Sequence, residues 1–351
     1  MSPWRSSPAL RRLVAAAAVL LIIATAATLG ARYCWVLDLF SHFRWQYALG
    51  AGAVIPLAWL CGYRILAMAC VAILLLHIEA LAVQRFGPAP GAAGGGRPLR
   101  IVSFNVLFSS TAYALLIRFV ERVSPDVVCL YETTPDWQEH LAPLTARYAF
   151  SLFTGNGRLT GLACLSRIVP LQVVPPVTDG NAAPWMQLEL ASGGTRFALL
   201  GVHLSYPVEA AGSAARDRQI AELARQLHAV AEPVVVVGDF NVSPFSPRST
   251  DFVTSSRLRD CSRGHALAPT WPTSFAPLWL QIDRCFVSEG VGVVRYQVGP
   301  EIGSDHYPLI IDVRIPAGDT RVSGRQSNFA MEPRVNRTAS QSRLPGLQNH
   351  D

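Results

Sequence analysis

Asp239 and Asn241 close the run VVVVGDFN, two polar groups set directly on the end of an apolar strand. Polar residues fall in the same way elsewhere. Asn105 ends IVSFN, Glu132 ends DVVCLYE, His203 interrupts LLGVHLS, Asp283 lies in LQIDRCF, and Asp305 and His306 stand together just before YPLIIDV. Strand ends are where a buried scaffold presents side chains to a shared cleft. Four carboxylates gathered there repel one another, and a divalent cation relieves that repulsion. Carboxylate and amide oxygens without Cys select a hard ion, Mg2+ or Mn2+, over zinc. A hard cation beside two imidazoles is apparatus for hydrolysing phosphate esters. Cation and imidazoles offset charge on the phosphoryl oxygens, and a carboxylate orients water.

Taken singly, each residue has an ordinary explanation. Asn105 reads as a strand-end turn residue, Glu132 before TTPD as the lead into a helix cap, His203 as a satisfied core histidine, and Asp239 after Gly as a turn residue. Asp283 beside Arg284 reads as a surface pair worth less than about 1 kcal/mol. The recurrence at strand ends favours the joint reading.

The elements that would position these residues run from Arg100 to Ile315. LRIVSFNV and DVVCLYE read as buried strands, with the amphipathic AYALLIRFVERV between them and SPD as its breaker. PDWQEHLAPL reads as a helix. YAFSLF, GLACLSRI, WMQLEL and RFALLGVHLS follow too closely for helices between them. The amphipathic AARDRQIAELARQLHAV then leads to PVVVVGDFN, and QIDRCFVS and YPLIIDVRI close the domain. Strand–helix–strand units flanking a block of consecutive strands do not fit one doubly wound sheet. Two packed sheets with helices on their outer faces accommodate both.

The first 86 residues have a different character. Apolar runs near 13–31, 47–63 and 65–83 predict about three transmembrane helices, the last two joined as a tight hairpin around Arg64. A cleaved signal peptide is the rival reading of the first run; the two later runs argue for a retained membrane anchor. Arg5, Arg11 and Arg12 place the N-terminus in the cytoplasm, so three crossings put residues 99–315 outside it. His77 and Glu79 are expected near the membrane interface. Residues 87–98, GPAPGAAGGGRP, read as a flexible linker, and the polar stretch 316–351 as a disordered tail.

Composition agrees with a membrane part joined to a globular one: 351 residues, 50% hydrophobic, with a mean hydropathy of +0.28. The net charge is +6, and all 30 basic residues are Arg. That excess suits an anionic partner, phosphate or lipid surface, and no Lys-rich groove suggests base-specific DNA reading. The seven Cys show no metal-type spacing, and buried free thiols are the expectation. SFAPLWLQ (274–281) is expected to be ordinary core, with lipid contact or base stacking as the alternative.

The ordered set SFNV, CLYE, GVHLS, VVGDFN, LQIDRCF and GSDHYPL resembles the endonuclease/exonuclease/phosphatase superfamily with its DNase I-like fold, across roughly 97–315. The resemblance implies a four-layer α/β/β/α sandwich preceded by the N-terminal transmembrane helices. It implies Glu132 as metal ligand assisted by Asn105 and Asp305, and Asp239 as the group that orients or deprotonates water. Asn241 would hold phosphate or water, and His203 and His306, the latter steadied by Asp283, would contact phosphate. GDFN and SDHYP are its specific pieces. The acid found two places after the first Asn in DNA-repair members is replaced by Leu107. The Glu that steadies His203 in related members has Glu189 and Glu209 as its candidates. Membrane-anchored bacterial members with a few N-terminal spans and an external hydrolase domain are similar in layout. The implied substrate is a phosphodiester of nucleic acid or phospholipid. The alternative is a catalytically degenerate membrane-tethered binding or scaffold protein. Three short spans with few polar residues argue against a transporter.

Overall fold

Successive residues of the central strands face two different cores, and that alternation builds the layers. The computed structural model describes residues 7–91, 97–154, 161–174, 185–230 and 233–317. One six-stranded sheet has the order β11 (Gly292–Val298), β12 (Leu309–Arg314), β1 (Leu99–Asn105), β2 (Val127–Tyr131), β4 (Leu162–Ser166), β3 (Phe150–Thr154). The other has the order β5 (Gln172–Val174), β6 (Trp185–Ser192), β7 (Thr195–His203), β8 (Val234–Asp239), β10 (Asp283–Val287), β9 (Arg259–Asp260). Each sheet has one central parallel pair, β1–β2 and β7–β8, and antiparallel partners elsewhere.

Val235 and Val237 pack into the core between the sheets with Ile101, Cys129 and Leu199. Val234 and Val236 face the opposite way, onto α8 (Ala210–Leu227) and α9 (Pro247–Ser256). Val102, Phe104 and Val128 likewise meet α5 (Tyr113–Val123), α6 (Pro135–His140) and α7 (Ala142–Thr145). Strands buried on both faces explain the near-continuous valine runs, and the result is the expected four-layer α/β/β/α sandwich. The parallel pairs are reached through α5 and α8, so both crossovers deliver their strand ends to the same edge of the sandwich.

Four helices precede the sandwich: α1 (Pro8–Leu29), α2 (Trp35–Ser41), α3 (Arg44–Leu60) and α4 (Arg64–Phe86). The ends of the long ones lie one to five residues from the expected runs, and α2 is additional to them. Small residues fill the inside of this bundle, with Ala18, Ala51 and Cys70 fully buried together and Val14, Ala58 and Ala67 forming a second cluster. Large apolar residues point outward, Ile65 at 78% exposed and Leu20 at 65%. That is the reverse of a water-soluble bundle. Helices α1 and α4 are long and apolar enough to cross a membrane. Helix α3, at 17 residues, spans roughly 25 Å at 1.5 Å per residue.

The bundle is tied to the sandwich by polar contacts. Arg216 of α8 is buried and donates to Asp38 of α2 at 3.0 Å, and Ser246 donates to the other Asp38 oxygen at 2.7 Å. Gln84 of α4 donates to Ser262 at 2.6 Å, and Val293 N donates to Pro90 O at 3.1 Å. The expected linker is thus pinned at Pro90; residues 92–96 lie outside the described residues, as does the predicted tail beyond residue 317.

Two expectations are corrected. Cys261 and Cys285 form a disulfide, and Cys34, Cys61, Cys70, Cys129 and Cys164 stand outside any disulfide. The pairing was hidden because β9 and β10, which bring the two residues together, are neighbours only in the folded sheet. The SFAPLWLQ stretch is not core: Phe275 is 53% and Leu278 41% exposed. It forms a 3-10 turn at Ala276–Leu278 that lies against α3, where Trp45 Nε1 donates to Trp279 O at 3.0 Å.

Candidate active site

In the second sheet His203, Asp239 and Asp283 stand in a single row across three adjacent strands, because His203 registers with Asp239 and Asp239 with Asp283. In the first sheet Asn105 registers with Tyr131, which puts Glu132 one residue beyond the same tip. Below this edge the Tyr131 hydroxyl donates to Val237 O at 3.0 Å and locks the two sheets together.

The backbone at the tips is special. Leu107, Glu132 and Asn241 have φ of 60°, 62° and 51°, left-handed for non-glycine residues. Each costs on the order of 1–2 kcal/mol, and such strain gathers where a side chain must be aimed. Gly238, one residue before Asp239, has φ of 154°, and a Cβ there would sit 1.9 Å from Val202 O. Only glycine lets β7 approach β8 this closely, which is why GD precedes the turn.

The side chains form one network. Asn105 Nδ2 donates to Glu132 Oε1 at 2.9 Å and to Asp239 Oδ2 at 3.2 Å. Phe108 N donates to Glu132 Oε2 at 3.2 Å. Asp239 Oδ2 also has His306 Nε2 at 3.7 Å and His203 Nε2 at 3.9 Å, while Asn241 N holds Asp239 Oδ1 at 2.9 Å. His306 Nδ1 is 2.8 Å from Asp283 Oδ2. Asn105, Glu132, His203, Asp239, Asp283 and His306 are therefore brought together.

Asn241 and Asp305 are held at the margin. Asn241 Nδ2 donates to Leu204 O at 2.8 Å. Asp305 Oδ2 accepts from Trp271 Nε1 at 3.0 Å. Of the two candidates for steadying His203, Glu189 is too far away. Glu189 registers with Ala198, five residues from His203 along β7 or roughly 16 Å at strand spacing, and Glu209 is exposed at the start of α8. Glu132 Oε1, at 3.6 Å, is the carboxylate beside the ring. Asp283 and Arg284 are no surface pair. Arg284 is fully buried on the other face of β10, donating to Asp260 at 2.7 Å.

Three positioning residues escaped the sequence reading. Ser304 Oγ donates to Asn105 O at 2.7 Å and accepts from His306 N at 3.1 Å, tying the two motifs together. Thr270 Oγ1 accepts from Asp283 N at 3.0 Å, and Trp271 orients Asp305. Ser304 had a signal, its place directly before Asp305 in GSDH. Thr270 had none beyond its nearness to the Asp283 strand.

Burial pushes the Asp239 carboxyl up to about 7, and the Asp283 charge adds to the effect, against the His306 charge and the bond from Asn241. Burial opposes charge on His306, but Asp283 and Asp239 outweigh it and raise the ring to about 10. The imidazole is therefore protonated at neutral pH, with its Nε2 turned toward Asp239. Asp239 and Asp283 face the His306 imidazolium, Glu132 joins the same network through Asn105, and Asp283 Oδ1 is buried without a hydrogen-bond partner. This oxygen-rich, thiol-free set fits a hard divalent cation. Among the described residues, Asp239, Asp283 and His306 offer ligand atoms within 4.8 Å of one another. A protonated His306 repels a cation there, so the Glu132 side of the cluster suits one better.

Comparison with known proteins agrees with this geometry. Residues 102–306 match the model of the Endonuclease/Exonuclease/phosphatase family. Humanized TDP2 of D. rerio, carrying 14 mutations, is 19% identical with a TM-score of 0.52, covering 62% of this chain and 99% of that one. An endonuclease/exonuclease/phosphatase from Beutenbergia cavernae is 19% identical with a TM-score of 0.50, covering 63% and 72%. Beta toxin from Staphylococcus aureus, a double mutant with bound magnesium ions, is 16% identical with a TM-score of 0.50, covering 61% and 99%. At these identities the likeness is one of fold. No curated protein sequence matches the chain.

Proposed function

The chain belongs to the endonuclease/exonuclease/phosphatase family, and from that premise we propose that it is a membrane-anchored, divalent-metal-dependent phosphodiester hydrolase. One observation carries this reading: Asp239 Oδ2 is the hub of Asn105, His203 and His306 at the shared edge of two sheets. A carboxyl poised near 7 is suited to take a proton from water at neutral pH. Asn241 N fixes its other oxygen, so the acceptor is Oδ2. The His306 imidazolium, held by Asp283, and the His203 ring offer Nε2 atoms to phosphoryl oxygens as negative charge develops.

Mg2+ or Mn2+ held by Glu132, with Asn105 and the Trp271-oriented Asp305 beside it, would supply Lewis-acid neutralisation of the phosphoryl group. Asn105 then has a second duty, keeping Glu132 and Asp239 at a fixed separation through a single amide nitrogen. Asn241 helps shape the pocket for phosphate through its left-handed turn.

The outward apolar faces of α1, α3 and α4 support a three-helix anchor in a bacterial inner membrane. The N-terminus, with Arg11 and Arg12 beside Arg64 of the second hairpin, would lie in the cytoplasm and the sandwich outside it. The Cys261–Cys285 disulfide supports the oxidising side. Nucleic acid and phospholipid phosphodiesters are both compatible with the site. The test is the full-length chain in detergent with Mg2+ or Mn2+, assayed on bis(p-nitrophenyl) phosphate, single- and double-stranded DNA, RNA and phospholipids. Turnover of a phosphodiester that EDTA abolishes is expected. Inactivity on the whole panel, together with no cation binding, favours the degenerate scaffold.

A further inference from the structure

A cavity of about 680 Å³ lies where α3 meets the sandwich. Its walls are Trp45 and Leu49 from α3, Phe245 from the turn after Asn241, and Leu267, Trp279 and Leu280 from the segment leading to Asp283. The volume falls inside the roughly 300–1,000 Å³ of small-molecule sites, and the lining is almost wholly apolar.

The polar side chains of the wall are largely engaged with protein. His42 Nδ1 is 2.7 Å from Ser243 Oγ. Gln281 Nε2 donates to Tyr296 at 3.1 Å, and Gln46 Nε2 donates to Trp279 O at 3.2 Å. Two atoms of lining residues are buried without a partner, the donor Trp279 Nε1 and the acceptor Gln46 Oε1. A wall of this kind suits a long apolar ligand with few polar groups.

Position says which ligand that is. Leu49 lines the cavity and is 65% exposed on α3, continuous with the apolar outer surface of α1 and α4. Arg44 begins α3, and Leu29 and Phe86 end α1 and α4, so the cavity opens at the level where the helical bundle meets the sandwich. Trp45 and Trp279 sit at that level, as indoles do at a membrane interface. The 3-10 turn beside it exposes Phe275 and Leu278. We infer that this cavity takes one acyl chain of a bilayer lipid, entering past Leu49 and lying between α3 and the Leu267–Leu280 segment. The inference rests on the membrane anchoring proposed above.

The test uses the full chain in lipid nanodiscs containing a phosphatidylcholine with a diazirine midway along one acyl chain. After photolysis, labelled peptides are mapped by mass spectrometry. Labels are expected on the Trp45–Leu49 and Leu267–Leu280 peptides as well as on α1 and α4. Ala268→Trp, which fills the cavity, and Leu267→Trp, at a more tolerant rim position, should each lower the label on the Leu267–Leu280 peptide at least tenfold and leave α1, α3 and α4 labelled from the surrounding bilayer. Retained labelling of those helices certifies insertion in either variant. Labels confined to α1, α3 and α4, or a Leu267–Leu280 label undiminished in both variants, overturn the inference and leave the anchor reading standing. No labelling anywhere overturns both. Turnover of bis(p-nitrophenyl) phosphate, measured alongside, reports on the hydrolase reading separately. Cleavage of the labelled lipid identifies the chain in the cavity as the substrate's, and its survival identifies a resident lipid; both outcomes support the site.

Discussion

His306 Nδ1 lies 2.8 Å from Asp283 Oδ2, and both side chains are buried. The carboxylate holds the ring with Nε2 toward Asp239 and keeps it protonated. His306→Ala is expected to lower kcat by about 10²–10⁴-fold, the range for losing an acid–base or oxyanion group. Asp283→Asn retains the shape but removes the charge that raises the ring. It should lower kcat and also move the alkaline limb of the pH–rate profile to lower pH. The double variant should lose little more than the worse single one, because the pair acts as a unit. Additive losses would show that the two residues act independently.

The Glu132 carboxylate accepts from Asn105 and Phe108, both neutral donors, and has the His203 ring 3.6 Å away. Isothermal titration of the full chain with Mg2+ or Mn2+ is expected to show binding that Glu132→Gln weakens by at least tenfold. EDTA should abolish turnover and Mn2+ restore it. Undiminished cation affinity in Glu132→Gln would move the site to the Asp239–Asp283 side.

Much of the site was legible because strand ends are legible. The apolar runs give the strands; Asn105, Glu132, His203 and Asp239 mark where four of them stop, and Asp283 marks where β10 begins. What the sequence could not give was relations between distant strands. The row His203–Asp239–Asp283 depends on β10 lying antiparallel beside β8 across 44 residues. The Cys261–Cys285 bond depends on the same neighbourhood. Strands β5, β9 and β11 and helices α2 and α9 went unpredicted. The first two strands are only three and two residues long, and α9, PRSTDFVTSS, is polar enough to pass for a loop. The turn at 276–278 was taken for core because its apolar composition says nothing about the helix bundle it faces.

The Cys261–Cys285 disulfide closes a loop of 24 residues beside the Asp283 strand. Closing such a loop restricts the unfolded chain and is worth about 3 kcal/mol. Mass spectrometry of protein denatured and alkylated without reductant should find five blocked thiols, and seven when it is reduced first. The Cys261→Ser/Cys285→Ser double variant should melt several degrees lower while keeping measurable turnover. Seven accessible thiols without reductant would remove the bond and its support for an oxidising compartment.

Asp38 and Arg216 join the helix bundle to the sandwich, and Arg216 Nη1 also donates to Asn241 O at 3.4 Å. Removing Asp38 leaves the buried guanidinium with Asp217 at 2.9 Å as its remaining counter-charge, so the cost falls below the about 3–5 kcal/mol of a fully stranded buried charge. Asp38→Ala should therefore lower thermal stability and, by loosening the Asn241 turn, lower kcat more than KM changes. Asp38→Leu with Arg216→Met should recover most of the stability. A single variant as stable as wild type would mean that the bundle is held by its apolar contacts alone.

His42 sits in the same junction, between α2 and α3. Burial lowers its ring to about 4; Asp38 opposes the shift, while Arg216 and Arg284 add to it. The hydrogen bonds agree, since Ser243 N donates to His42 Nδ1 at 3.3 Å, which requires that nitrogen to be unprotonated. An unfolded His titrates near 6.5. Between about pH 6.5 and 4 the unfolded chain therefore binds a proton that the folded chain refuses, and stability falls as pH falls through that window. The full effect is about 3 kcal/mol at 1.36 kcal/mol per unit. Melting temperatures of the full chain from pH 7.5 to 4.5 should drop, and His42→Gln, which cannot charge, should flatten that His-dependent part of the slope. Asp239, whose carboxyl is raised, pushes the other way, because protonation favours its folded form. An identical slope in His42→Gln would mean that His42 is not the group that titrates.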